Sequence, residues 1–81
     1  MATDSKTVQR VFGEVLRQVR SEKNISQQHL ALEADLDRTY ISLLERGLRQ
    51  PSLSTIFSLA DAMGIDAVSL VRETRVRLDV I

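Results

Sequence analysis

Cysteine and tryptophan are absent from this 81-residue sequence, histidine and proline occur once each, and glycine occurs three times. Without cysteine there are no disulfides, no thiolate metal sites and no cysteine nucleophile. The single histidine, His29, has no second imidazole with which to hold zinc or share acid–base work. No apolar run approaches the roughly 20 residues of a membrane span, so no membrane partner is expected. Met1 to Lys6 is polar and lacks the apolar core of a secretory leader, and the chain therefore reads as cytoplasmic. Neither sign of charge dominates: eleven Lys and Arg balance eleven Asp and Glu. A domain built to hold polyanions is usually basic overall. Composition alone thus nominates no partner, and the distribution of charge has to carry more of the argument than its sum.

What is present is a helical pattern almost throughout. With 43% hydrophobic and 27% charged residues the chain is a globular domain, long enough for one core and too short for two. A chain this size buries about 60% of its unfolded surface, which leaves no room for a deep catalytic cavity. Phe12, Val15, Leu16 and Val19 recur at i, i+3, i+4 and i+7, predicting a helix from about Thr7 to Lys23. Gly13 inside it suggests a close neighbour. Asn24 suits a left-handed helix end. Ser26 caps a second helix to about Ala34, and Asp37 a third to about Arg46, where Gly47 stops it. Pro51 and Ser52 open a fourth from Leu53 to Met63, with Leu53, Ile56, Phe57, Leu59, Ala60 and Met63 inward. Gly64 closes that helix, and Asp66 caps a fifth from Ala67 to about Thr74. The expected class is all-α, with five short helices. Residues 1–6 are expected to be a flexible N-terminus, 7–74 the domain and 75–81 a tail. In that tail Val76, Leu78 and Val80 alternate with polar residues, a pattern open to fraying, to a strand paired across a dimer axis, or to more of the fifth helix.

The second and third helices are separated only by Asp35 to Asp37, the spacing of a helix-turn-helix that presents its second helix to the major groove. Many small helical proteins share that geometry, so the third helix has to supply the chemistry. At about 100° per residue, Arg38, Thr39, Ser42 and Arg46 fall in one sector with Leu43 at its edge, opposite Ile41 and Leu44. Arginine pairs bidentately with guanine, threonine offers a hydroxyl and a methyl, and serine suits donors or acceptors. Tyr40, in the first turn, is in reach of a base edge, a sugar or a phosphate. An ordinary polar face of an amphipathic helix has the same pattern.

The segment SQQHLALEADLDRTYISLLERGLRQPSL resembles the Xre-type, lambda-repressor-like helix-turn-helix family. Within it, LDRTYIS followed by ERG, an arginine and PSL is most similar to the small controller proteins of restriction–modification systems. The resemblance spans roughly Phe12 to Leu70. It implies a lambda-repressor-like DNA-binding domain and a homodimeric transcriptional regulator, not an enzyme, on a palindromic operator. Activation would proceed through RNA polymerase, and autorepression would follow at higher occupancy. It further implies that Arg38, Thr39, Tyr40, Ser42 and Leu43 contact bases. Ser26, Gln27 and Gln28 would clamp one phosphate, and Arg46, Arg49 and Gln50 would contact the backbone beyond. Arg20 and Glu45 match a structural ion pair between the first and third helices. Three positions depart from the family's habit: Asp35 for glycine in the turn, Gln50 for asparagine, and Leu43 where a polar residue or glycine is common. Leu43 can pack on thymine methyls or belong to the core.

One recognition helix reads few base pairs, and a chain of zero net charge gains little from counterion release, so two copies on adjacent half-sites are expected. Val68, Leu70, Val71 and Val76 are the candidate dimer contacts. Phe12, Phe57 and Met63 read as core, and Asp61 with Asp66 as caps and solvated charge. No catalytic, cofactor, metal or small-molecule site is expected. Rival readings are a phage-type repressor, an antitoxin whose segment from Thr74 to Ile81 holds a toxin, and a protein-interaction module without DNA binding.

Overall fold

A computed structural model of the chain describes residues 4–81, which form five helices and no strand. They are α1 (Ser5–Glu22), α2 (Gln27–Ala34), α3 (Arg38–Glu45), α4 (Leu53–Met63) and α5 (Ala67–Leu78). Each begins at a short polar side chain that accepts from an amide of the first turn: Asp4 from Thr7, Ser26 from His29, Asp37 from Thr39, Ser52 from Thr55 and Asp66 from Val68. The Thr7 amide also holds the Asp4 carboxyl below the ordinary aspartate range.

Four of the helices end in one repeated device. Asn24, Asp35, Gly47 and Gly64 all have positive φ, and the amide after each reaches back to a carbonyl five residues upstream. The bonds are Ile25 to Arg20, Leu36 to Ala31, Leu48 to Leu43 and Ile65 to Ala60, at 2.8 to 3.2 Å. Ile25, Leu36 and Ile65 then pack on the core. The turn aspartate at Asp35 thus adopts the left-handed backbone that glycine takes more cheaply.

α1 packs against α3 and α5, α2 against α3 and α4, and α4 against α5. Leu16, Leu30, Ile41, Leu44, Leu59 and Leu70 meet at the centre, all essentially without solvent contact. Among the described residues no single helix is long and apolar enough to cross a membrane.

Three expectations change. The first helix starts at Ser5, because Asp4 caps it, so Ser5 and Lys6 are helical and only 1–3 of the expected N-terminal segment lies outside the described residues. Residues 75–78 belong to α5: Leu70, Thr74 and Leu78 form one buried stripe, and the Thr74 hydroxyl is satisfied by the Leu70 carbonyl at 2.8 Å. Leu53 and Phe57 are not inward. They stand 67% and 52% exposed, because the core side of α4 is filled by Leu59, Ala60 and Met63.

Gly13 is where α1 crosses the end of α3. A Cβ there would collide with the Leu44 carbonyl oxygen and approach that of Glu45 to 2.7 Å, both of them backbone atoms that cannot rotate away. Gly13→Ala should therefore cost about 2 kcal/mol and lower the thermal midpoint by about 10 °C, measured by circular dichroism. Retention of the midpoint would mean that the two helices are not in this contact.

Candidate nucleic-acid interface

α2 and α3 are joined by Asp35, Leu36 and Asp37, and Leu36 folds back onto the core. α3 is only eight residues long, so its placement depends on what it buries. Ile41 and Leu44 are wholly inside, which fixes the opposite side outward. On that side Arg38, Thr39 and Arg46 are exposed, while Ser42 and Leu43 are half-buried. Tyr40 is also half-buried and packs against the core, so its ring is anchored in the domain. Leu43 is not one of the side chains packed on the central cluster, and of its two alternatives the outward one fits.

The cations of this face are free to meet an anion. Arg46 reaches the Ser42 carbonyl at 3.4 Å and Arg49 the Leu48 carbonyl at 2.9 Å, and among the described residues neither of these, nor Arg38, forms an ion pair. Of the three local carboxylates, Asp35 and Asp37 lie exposed in the turn before α3, Asp37 accepting from the Thr39 amide. Glu45 is drawn inside, its side chain only 3% exposed. From Arg38 onward, a chain with no net charge thus presents Arg38, Arg46 and Arg49 as a basic stripe with no exposed carboxylate among them.

Glu45 is the junction of three helices. Arg20 of α1 grips it bidentately, Nε to Oε2 at 2.6 Å and Nη2 to Oε1 at 3.0 Å. Gln27 of α2 donates from Nε2 to the same Oε1 at 3.0 Å. The third donor of Arg20, Nη1, holds the Ile25 carbonyl at 2.7 Å, which pins the corner between α1 and α2. The carboxylate hydrogen bond raises Arg20 above the ordinary guanidinium range against the opposing effect of burial. No buried side-chain nitrogen or oxygen among the described residues lacks a partner.

The start of α2 offers a different chemistry. Its N-cap hydroxyl, on Ser26, accepts from the His29 amide, and the first amides of the helix, on Gln27 and Gln28, have no carbonyl one turn earlier to bond. Gln28 is exposed. The Gln27 carboxamide, expected at a phosphate, is engaged by Glu45 instead. His29 is exposed beside Glu33 at 3.7 Å.

The expected dimer contacts divide. Leu70 is 1% exposed and belongs to the core, since it lies on the α5 stripe that faces inward, so it is unavailable to a partner. Val68 and Val71 are exposed and adjacent on α5. Val76 is exposed but lies about 140° round the helix from Val71. Leu53 and Phe57, one turn apart on α4, are further exposed apolar residues that the periodicity had placed inside. A mostly apolar groove of about 190 Å³ is lined by Val8, Phe12, Pro51, Ile56, Val71, Thr74 and Leu78, together with Gln50 and Arg75.

Residues 16–70 match the model of the helix-turn-helix family. The control protein C.BamHI of Bacillus amyloliquefaciens is 41% identical over 73 residues, which make up 89% of this chain and 90% of that protein. The crystal structure of the restriction-modification controller protein C.AhdI from Aeromonas hydrophila superposes with a TM-score of 0.74 at 43% identity, over 75% of this chain and 92% of that one. The controller protein C.Esp1396I, crystallised as a tetramer with its natural 35-base-pair operator, gives 0.80 at 25% identity over 88% and 93%.

Removing the Glu45 carboxylate would leave Arg20, whose side chain is 13% exposed, without its counter-ion. Glu45→Ala is therefore expected to lose about 3 kcal/mol in urea unfolding. Glu14→Ala, which breaks the exposed pair with Arg10, is expected to lose less than about 0.5 kcal/mol. Equal losses would mean that the Glu45 pair is no more than a surface contact.

Proposed function

The chain belongs to the helix-turn-helix family, and from that membership we propose that it is a sequence-specific DNA-binding transcriptional regulator of the restriction–modification controller type. The observation that carries the reading is the α3 face: exposed Arg38 and Thr39 with half-buried Ser42, on a helix whose other side is locked to the domain. In this reading Arg38 pairs with a guanine, while Thr39, Ser42 and Leu43 meet neighbouring base edges. Tyr40 supports the first turn of the helix and meets the backbone or a base edge beside it. The Ser26 hydroxyl, Gln28 and the first amides of α2 hold one phosphate, where the helix dipole favours an anion. Arg46, Arg49 and Gln50 take the backbone on the far side. The role is binding, in the cytoplasm, without a catalytic step.

Two copies make the working unit. One α3 offers too few side chains for a unique site, whereas two on half-sites about 34–36 Å apart read a palindrome. Leu53, Phe57, Val68 and Val71 supply the apolar surface for an isologous contact. Regulation follows from occupancy: one dimer activates by touching RNA polymerase, and a second on an adjacent site represses. Support for two dimers comes from C.Esp1396I, a relative crystallised as a tetramer on one operator.

Selection from random duplexes should return a two-fold symmetric motif whose affinity falls steeply as salt rises. Arg38→Ala should weaken that site by about tenfold or more and relax one base pair per half-site. Unchanged binding would refute base reading through α3. For the dimer, Phe57→Glu should convert a sedimenting dimer to monomer at about 10 µM without unfolding it, because the residue is 52% exposed in the single chain. A variant that still sediments as a dimer would move the interface elsewhere.

A further inference from the structure

We infer that Gln27 is a positioning residue: its carboxamide sets the angle between α2 and α3 through Glu45, and the phosphate at the start of α2 is left to the Ser26 hydroxyl, Gln28 and the backbone amides. The inference rests on the DNA-reading function proposed above and deepens it. α2 and α3 are eight residues each, joined at one end by the turn Asp35 to Asp37. Beyond that turn the two short helices are held to each other by apolar packing. Gln27 is the first residue of α2 and Glu45 the last of α3, so their 3.0 Å bond closes the open end. The apolar contacts between the helices are non-directional, whereas a hydrogen bond to a buried carboxylate fixes a distance. Glu45 is itself held by two of the three guanidinium nitrogens of Arg20, so Gln27 is tied to a fixed post. Arg20 reaches the start of α2 only through the Ile25 carbonyl, so the Gln27 side chain is the direct polar link between the element that anchors on a phosphate and the element that reads bases, 18 residues from its partner.

The test compares operator and random duplexes at one salt concentration, with protein verified as folded at the assay temperature. Gln27→Met keeps length and removes the donor. It should lower operator affinity by about tenfold and leave random-duplex affinity within about twofold, so that the ratio falls. Equal losses on both duplexes would make Gln27 a phosphate contact and overturn the inference, as would no loss on either. Gln27→Glu places a second carboxyl against Glu45, with Arg20 the other charged group in hydrogen-bond reach. Two carboxylates that close raise one pKa, and the protonated form can donate as the amide does. Its operator-to-random ratio should recover as pH falls from about 8 to 5, relative to wild type, while that of Gln27→Met stays low. A flat profile contradicts the inference. If wild type itself fails to discriminate the duplexes, the proposed function falls instead. The link is then judged by a double-mutant cycle of Gln27→Met with Glu45→Gln in thermal unfolding, where additivity overturns it.

Discussion

A carboxylate taken out of water is the constraint on which this small domain turns. Glu45 sits where α1, the start of α2 and the end of α3 converge, and it accepts three hydrogen bonds from Arg20 and Gln27. A buried ion pair adds little net stability over an apolar alternative, because desolvation offsets most of its attraction. Its value is directional. Leucines at the centre hold five helices together in many relative orientations, whereas a bidentate guanidinium accepts few. Gly13 belongs to the same junction, since only a residue without a side chain lets α1 lie against the carbonyls of Leu44 and Glu45.

Charge and orientation are linked by this arrangement. Drawing Glu45 inside removes an anion from the outer surface of the helix that also carries Arg38 and Arg46. The basic stripe of a chain with no net charge is therefore a product of folding. In the proposed function, moderate charge would make a single copy a weak binder and would give the exposed apolar residues of α4 and α5 a place in a dimer contact. There the buried junction, the outward stripe and the exposed apolar residues would serve the same end, which is to hold a short helix where two copies can read a duplex.

Much of this was legible in the sequence, and what was not has identifiable causes. Caps are local chemistry, so Ser26, Asp37, Ser52 and Asp66 marked their helices, as did Asn24, Gly47 and Gly64 at the ends. Asp4 did not stand out as a cap although Val8, Val11, Phe12 and Val15 carry the apolar stripe back to it, because the polar run from Met1 to Lys6 reads as a chain end. Period alone failed twice. Thr74 looks polar, yet it satisfies its hydroxyl within its own helix, and this ended the expected helix there and left its continuation as one of three readings of the tail. On α4 the apolar sector is wider than the core it faces, so Leu53 and Phe57 read as interior when a single chain leaves them outside. The ion pair of Arg20 and Glu45 came from family resemblance, 25 residues apart, and Gln27 joined it only when the fold brought the three together.

The most direct measurement is a structure of the chain on its selected duplex. The expected result is that the first turn of α3, from Arg38, lies in the major groove of each half-site, the two copies about 34 Å apart, with Glu45 still enclosed by Arg20 and Gln27. A complex in which α3 faces away from the bases, or in which the duplex lies on another surface, would contradict it.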